Sequence, residues 1–401
     1  MNTYITRKQV REINRKLFAN DIVFSDENET VFDEIVSSII QRYDPEDKVA
    51  NVPSIIEIKK KYIKKGIVDK IMLLNQNAVF IQINNSLLGD ANNIEIIKSL
   101  KSFGYKIVIE LNKTDRIFTV AGILADIIKI DVKNIPEALV STDTKFDCMI
   151  MAYNVDTATD YEMAETLHID LYEGSYISTE TSIKLELKEG SSFNYVEVLS
   201  LANKDDVEIK DIAKAISKDT LMSAQVIRLS NSVYFMGSDK ISSVEQAIIR
   251  IGLDTLKKWL FLLQFSRRND EQNEMLQLSY NRALFCEQIA RKSRKIKIND
   301  SDAYLIGLFS TLDALTGKSI DKQLYNMNLS KDIEDALIYR DGPGGTILNL
   351  VKSYEEANWE RVAKYAKQLA LSKDVMSDIY FYCIDEVTKL WSSLTGLGGI
   401  V

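Results

Sequence analysis

Histidine is almost absent from this chain, which has a single one, His168. A histidine-rich metal site, a helical His-Asp phosphohydrolase centre and a Ser-His-Asp triad in the second half are therefore excluded, because each needs imidazoles that are missing. His168 stands where a helical stretch gives way to an apolar run. We expect it to pack at that junction rather than to act in catalysis.

Cysteine, apolar runs and positive charge are also scarce. Cys148, Cys286 and Cys383 are scattered without a CxxC motif, which is typical of small core residues in a reducing compartment. No apolar run approaches the ~18 residues of a membrane span, and the first residues lack the apolar core of a signal peptide. The net charge of -8 argues against broad binding to nucleic acid or anionic membranes. We expect a cytoplasmic protein without nucleic-acid or membrane partners.

Three segments invite comparison with phosphate-binding sites, and each favours a structural interpretation. Gly317-Lys318-Ser319 lacks the earlier glycine of a phosphate-binding loop, since Leu312 stands there. The basic run Lys59–Lys65, next to the isoleucines at 55, 56 and 58, predicts the solvated face of a helix. The glycine-rich stretch Asp341–Gly345 predicts a turn between helices.

The first half alternates strand-length apolar runs with helical stretches. The runs are rich in isoleucine and valine and cover residues 78–83, 106–111, 127–132 and 147–152. Such alternation predicts parallel βα units with strands covered on both faces. A barrel and a doubly wound sheet both satisfy this pattern.

The periodicity changes after a polar stretch that ends in Gly190-Ser191-Ser192. We place a domain boundary there and predict domains at 1–184 and 190–401. Beyond it, Ile209, Ile212 and Ile216 share one helical face, and Ser243 with Gln246 predicts a capping box. The second domain is therefore predicted to be all-α.

Four segments of the first half resemble the EAL domains. ADIIKID at 125–131 is similar to the strand that carries the family's Lys-Ile-Asp signature, and GYKIVIELN at 104–112 to the strand that ends in paired aspartates. MAYNVDT at 151–157 and DLYEGSYIS at 170–178 follow the order of the last two strands. The resemblance implies a TIM barrel that hydrolyses cyclic di-GMP with two divalent ions about 3.5–4 Å apart, held by carboxylates.

The residues at the family's functional positions have mostly changed. Only Lys129 and Asp131 match the family. In the first strands, the resemblance puts the signature glutamate at Asp21, the asparagine ligand at Glu57 and the next glutamate at Gln82 or Asn85. It puts the paired aspartates at Glu110 and Leu111. In the last strands, the later glutamate falls at Tyr153, with Asp156 close by, and the glutamine before a late glycine falls at Glu173. Because Leu111 cannot coordinate a cation and Gln82 and Tyr153 are uncharged, we predict a degenerate site with no catalytic residue, metal or cofactor.

The second half resembles the HDOD domain, an all-helical module. DIAKAISKDTLMSAQVIRLSNSVYF at 211–235 is similar to its central helix pair, and KISSVEQAIIRIGLDTLKKW at 240–259 to the segment that follows. Residues 307–345 and 354–359 are similar to the tail of proteins that fuse EAL and HDOD domains. Asn231 and Ser232 fit a partner-binding surface, although both residue types are also common at helix ends.

Together these features predict a non-catalytic bacterial signal-transduction protein that binds other signalling proteins through its HDOD domain. Two alternatives stay open. One is an active cyclic di-GMP phosphodiesterase, and the other is a receptor that binds the dinucleotide without cleaving it.

Overall fold

The computed structural model describes most of both halves of the chain. The described residues are 3–14, 16–25, 52–58, 69, 71–72, 74–111, 118–135, 147–176, 198, 201–202, 207–231, 235, 240–253, 255–257, 259–260, 270–316, 319–324 and 329–395. They fall into two compact units. The first comprises 1–181 with Tyr354–Trp359, and the second comprises 182–353 with 360–401. The domain limits predicted from the sequence stay a prediction.

Eight strands close into a barrel in the first unit, in the order in which they occur along the chain. The strands are β1 (Ile5–Glu12), β2 (Leu17–Phe24), β3 (Ser54–Ile58), β4 (Val79–Asn84), β5 (Lys106–Leu111), β6 (Ile127–Asp131), β7 (Met149–Tyr153) and β8 (Leu171–Glu173). The predicted α/β barrel is confirmed, and the four apolar runs of the sequence are β4 to β7. Neighbouring strands from β2 to β8 are parallel, whereas β1 pairs antiparallel with both β2 and β8.

Two predictions for the first unit are wrong. Ile55, Ile56 and Ile58 belong to strand β3 rather than to a helix, because consecutive β-branched residues favour an extended chain that is covered on both faces. The lysine run that follows lies outside the described residues. His168 is exposed, with a φ of 55° just after helix Ala158–Thr166 ends, so it does not pack.

Helices account for the described elements of the second unit, which confirms the all-α prediction. Together with three α-helices among the described residues of the barrel unit they are α1 (Ala91–Ser102), α2 (Phe118–Leu124), α3 (Ala158–Thr166), α4 (Ile209–Ser217), α5 (Thr220–Ser230), α6 (Val244–Ile251), α7 (Asp270–Lys292), α8 (Asp300–Phe309), α9 (Leu312–Thr316), α10 (Ile320–Leu324), α11 (Lys331–Glu334), α12 (Gly342–Glu355), α13 (Trp359–Leu369) and α14 (Lys373–Thr395). No described helix is both long enough and apolar enough to span a membrane.

Local sequence signals explain several helix ends. Ser243 caps α6 by accepting a hydrogen bond from the backbone N–H of Gln246 at 3.2 Å, which is the serine half of the predicted capping box. The stretch Asp341–Gly345 is not a turn between helices as expected, since α12 begins at Gly342. Proline is tolerated in the first helical turn, where its missing N–H has no partner to lose.

Candidate functional site

Each strand of the barrel contributes one side chain to an apolar layer in its interior. The members of this layer are Val10, Ala19, Ile55, Phe80, Val108, Ile127, Met151 and Leu171. Side chains two residues apart in a strand face the same way. The residue two positions further towards the carboxyl end of each parallel strand therefore also faces the interior.

Applied to all eight strands, this alternation produces a second layer that is polar. Its members are Lys8, Asp21, Glu57, Gln82, Glu110, Lys129, Tyr153 and Glu173, one from each strand. Seven of them are positions that the EAL resemblance singled out. Lys8 was missed because β1 runs antiparallel, so its polar position precedes Val10 instead of following it.

Lys129 is the centre of this polar layer. Its Nζ contacts a carboxylate oxygen of Asp21 and lies 3.0 Å from Oε2 of Glu173. All three side chains are almost fully buried, between 2% and 5% exposed. Lys8 adds a second cation, with its Nζ 3.6 Å from Oε1 of Glu173. The two buried carboxyl groups are therefore neutralised by ammonium groups of the barrel itself.

The ionisation of these groups reflects both burial and pairing. Burial raises the pKa of Asp21 to about 7; Lys129 opposes this rise, and the nearby Glu173 adds to it. Burial alone would raise the pKa of Glu173, but attraction to Lys129 and Lys8 outweighs it and lowers the pKa. Burial disfavours the charge on Lys129, yet the two carboxyl groups raise its pKa overall. Near neutral pH, Glu173 and Lys129 are charged while Asp21 exchanges a proton.

A second group of contacts lies beside Lys129 in the same layer. Gln82 donates a hydrogen bond from Nε2 to Oε2 of Glu110 at 3.0 Å, whereas its Oε1 is buried and has no hydrogen-bond partner. The Lys129 Nζ stands 5.3 Å from the centre of the Tyr153 ring. Burial, with the negative charge of Glu110 and Asp131 near it, raises the pKa of Tyr153 to about 12, so its phenol stays protonated.

Three predicted site residues lie apart from this layer. Leu111 follows the interior-facing Glu110 directly, so its buried side chain points to the outer face of the barrel, away from Lys129. Leu111 is therefore not a member of the polar layer, and its apolar side chain does not change which groups that layer offers to a ligand. Asp131 accepts a hydrogen bond from Nδ2 of Asn154 at 2.8 Å, and the exposed Asp156 accepts two from Ser175. Asn154 and Ser175 were missed because they follow strands in the loops.

The end of β8 depends on Gly174, which follows Glu173. A Cβ atom at this position would lie 2.1 Å from the carbonyl oxygen of Val155, far inside contact distance. Only glycine allows this approach between the segments after β7 and β8. The close packing helps to hold Glu173 at the interior of the barrel.

A binuclear metal centre of the kind that the EAL resemblance implies does not fit these residues. The two buried carboxyl groups that converge both contact the Lys129 ammonium, which takes the place that a cation would need. Gln82 and Tyr153 contribute uncharged groups. Within the described ranges, no three histidine, cysteine, aspartate or glutamate side chains are close enough together to hold a metal ion.

In the helical unit, the side chain of Asn231 is used within the chain. Its Nδ2 donates to the carbonyl oxygens of Ile227 at 3.0 Å and Ile241 at 2.8 Å, and its Oδ1 accepts from the Ile241 N–H at 2.9 Å. These bonds join the end of α5 to the segment before α6. Ser232, the other residue of the predicted partner surface, lies outside the described residues.

Sequence comparison identifies a domain within the second unit. The HDOD domain family matches residues 192–331. The chain contains an HDOD domain. The predicted resemblance is thereby confirmed, and the HDOD match includes Asn231 together with helices α4 to α8.

Two curated relatives match longer parts of the chain. The uncharacterized protein YuxH of Bacillus subtilis is 27% identical over 285 residues, which is 68% of this chain and 69% of YuxH. The cyclic di-GMP phosphodiesterase CdgJ of Vibrio cholerae is 27% identical over 231 residues, which is 57% of this chain. The chain spans about half of CdgJ, 53% of its length.

Two solved structures that are similar to the chain each cover 44% of it. A complex of the PaMucR phosphodiesterase with cyclic di-GMP is 13% identical, covers 44% of this chain and 90% of its own, and has a TM-score of 0.39. The EAL enzyme Bd1971 in a cGMP-bound form is 14% identical and covers 44% of this chain and 61% of its own, with a TM-score of 0.37.

Proposed function

We propose that this chain is a non-catalytic signalling protein, with an EAL-like barrel that does not hydrolyse cyclic di-GMP and an HDOD domain that binds other signalling proteins. The observation that carries the proposal is the position of Lys129 between Asp21 and Glu173. A lysine that neutralises Asp21 and Glu173 withdraws two of the four carboxyl groups of the polar layer from the set of oxygen ligands that divalent ions require.

The second candidate is a receptor that binds cyclic di-GMP without cleaving it. The relationship to CdgJ and the unpartnered Oε1 of Gln82 in the polar layer favour it. A buried acceptor without a donor is costly, and an N–H group of a ligand could satisfy it. The two candidates share the prediction that cleavage is absent.

Incubation of the full chain with cyclic di-GMP and manganese or magnesium tests the common prediction. We expect no linear dinucleotide in the chromatogram after an hour at micromolar protein. Metal-dependent product that disappears in Lys129→Met would overturn the proposal, because Lys129 would then serve catalysis rather than neutralise the site.

Calorimetry separates the two candidates. Titration with cyclic di-GMP in the absence of metal should release no heat if the barrel only supports protein contacts. Saturable binding that is lost in Gln82→Leu but kept in Gln368→Leu, the same change at an exposed position of α13, would establish the receptor. Capture of a partner by the full chain, but not by a chain with a disrupted HDOD domain, would complete the leading proposal.

A further inference from the structure

One arc of the polar layer of the barrel consists of hydrogen-bond acceptors. Gln82, in β4, has Glu57 of β3 and Glu110 of β5 as its neighbours in this layer. A carboxylate accepts hydrogen bonds and donates none. The two side chains that flank Gln82 in the layer therefore cannot donate to the oxygen of its carboxamide.

Glu110 fixes the orientation of the Gln82 carboxamide. Nε2 of Gln82 donates to Oε2 of Glu110 at 3.0 Å. Turning the carboxamide over would bring its oxygen against the carboxylate oxygen, so Oε1 must point away from Glu110. There Oε1 is buried without a hydrogen-bond partner, in a side chain that is only 4% exposed. An amide oxygen in this state is unfavourable unless a donor reaches it.

The charges of the polar layer favour a cation as that donor. The layer holds four carboxyl groups but two ammonium groups, those of Lys8 and Lys129. Both ammonium groups form ion pairs with Glu173, in another part of the layer. Glu110 instead accepts hydrogen bonds from neutral groups, a carboxamide and the Tyr153 phenol. The arc around Glu110 thus offers negative charge together with an unsatisfied amide oxygen.

Solvent reaches this arc more easily than it reaches the ion pairs of Lys129. Glu57, Glu110 and Tyr153 are partly exposed, whereas Lys129 is only 5% exposed. Partly exposed side chains can change rotamer with little loss of packing. A ligand that approaches along Glu110 and Tyr153 can therefore move them aside and reach Oε1 of Gln82.

We propose that Glu110 and Gln82, with Tyr153 beside them, bind the guanidinium or amidinium group of a small molecule. A guanidinium carries a positive charge, five N–H donors and no acceptor, so it complements a carboxylate next to an amide oxygen. The ring of Tyr153 adds an aromatic surface of the kind on which guanidinium groups stack. A phosphate or carboxylate ligand would instead meet the like charge of Glu110.

This site rests on the proposed function, since it gives the non-catalytic barrel a ligand. The two can fail separately, because hydrolysis of cyclic di-GMP and binding of an organic cation are measured in different assays. Absence of the cation site would leave the absence of hydrolysis unchanged. Hydrolysis by the wild-type chain would overturn the proposed function, whatever the result for the cation.

The experiment measures thermal unfolding of the full chain in methylguanidine hydrochloride, with the neutral analogue methylurea as the reference at equal ionic strength. We expect a dissociation constant of about a millimolar for so small a probe. Methylguanidine should then raise the midpoint of unfolding of the barrel saturably, by on the order of 2 °C or more at ten times that constant. Methylurea has the same shape without the charge and should have a much smaller effect.

Two variants with matched controls locate the site. Gln82→Leu removes the amide oxygen and Glu110→Gln removes the charge, so each should weaken binding of methylguanidine at least about tenfold. Gln368→Leu and Glu360→Gln are the same changes at exposed positions of α13 and should leave binding unchanged. Circular dichroism checks that both site variants are folded, and either one alone suffices for the test.

Three results would overturn the proposal. The first is an equal effect of methylguanidine and methylurea on the wild-type chain. The second is a methylguanidine effect that persists at full size in a folded Gln82→Leu or Glu110→Gln protein. The third is stabilisation by magnesium chloride that matches the effect of methylguanidine and is lost in Glu110→Gln, because the arc would then bind a metal ion instead of an organic cation.

Discussion

The barrel and the HDOD-containing unit each bring charged side chains close together, and the two clusters differ in the signs of their charges. In the barrel, Lys129 lies between Asp21 and Glu173, so opposite charges cancel within the chain. In the helical unit, Arg282 and Arg340 carry the same charge, and Nη1 of Arg340 has no hydrogen-bond partner. The first cluster combines charges of opposite sign, whereas the second brings two charges of the same sign near each other.

This difference suggests what each unit can do. In the barrel, the Lys129 ammonium already neutralises both carboxyl groups and so opposes the binding of a further cation between them. In the helical unit, by contrast, the charge of Arg282 opposes the charge of Arg340, and Asp313 offsets this in part. Four substitutions test whether the two units differ in this way.

Lys129→Met should have the largest effect. It would leave Asp21 and Glu173 buried without their main counter-charge, at a cost of about 3–5 kcal/mol in the free energy of unfolding of the barrel. Urea denaturation followed by circular dichroism measures the change. The control is Lys98→Met, an exposed lysine paired with Glu95 at 3.0 Å, which should lose no more than about 0.5 kcal/mol. Losses of the same size in both variants would contradict a self-neutralised cluster.

Gly174→Ala should destabilise the barrel by about 3 kcal/mol, because its Cβ would overlap the Val155 carbonyl oxygen at 2.1 Å. Gly89→Ala is the matched control, since a Cβ there meets nothing within 4 Å. The two variants can be compared in a single thermal-unfolding series. A Gly174→Ala protein as stable as the control would mean that the segments after β7 and β8 can separate without harm to Glu173.

Asn231→Ala should cost about 1–2 kcal/mol in the helical unit, because the backbone groups of Ile227 and Ile241 would lose their hydrogen bonds with its carboxamide. Asn77→Ala, at an exposed position, is the control. Chemical denaturation gives the stability, and a partner pull-down gives the interaction. Unchanged stability with lost partner binding would restore Asn231 to the predicted interaction surface.

Asp21→Asn should change the pH dependence of barrel stability rather than its maximum. The pKa of Asp21 is about 7 in the folded chain against an ordinary 3.8, so between these pH values the folded state holds more protons than the unfolded state. The Asp21 contribution to stability therefore falls as pH rises from about 4 to about 7. Asp21→Asn should remove on the order of 1 kcal/mol of this decline between pH 5 and 7.5. Urea midpoints at both pH values measure it, and Asp332→Asn, at an exposed position, should retain the wild-type slope.

Much of the barrel could be predicted from the sequence, because its strands are long, apolar and regularly spaced. Side chains alternate between the two faces of a strand, so the adjacent residues Glu110 and Leu111 cannot both face the interior. This alternation, applied to the sequence, would have left Leu111 out of the predicted site. Lys8 could not be found by following the parallel strands, because β1 runs the other way. Strand β3 was mistaken for a helix because lysines and isoleucines alternate irregularly around Ile58.

The arginine pair of the helical unit carries no local sequence signal. Arg282 and Arg340 are 58 residues apart, and yet the charge of Arg282 lowers the pKa of Arg340. Glycines at 344 and 345 looked like a loop because glycine is common in turns. Their actual use, to admit neighbouring atoms against a helix, depends on tertiary structure that periodicity does not contain.

The antiparallel first strand has a consequence for the order in which the protein matures. Strands β1 and β2 form a local hairpin, closed by a hydrogen bond from the Glu12 N–H to the Lys16 carbonyl at 3.0 Å, so they can pair as soon as both have been synthesised. The opposite edge of β1 pairs with Leu171–Glu173, which are synthesised more than 150 residues after β1. Until translation reaches that point, the nascent barrel has an open seam along β1, where chaperones or wrong strands can compete.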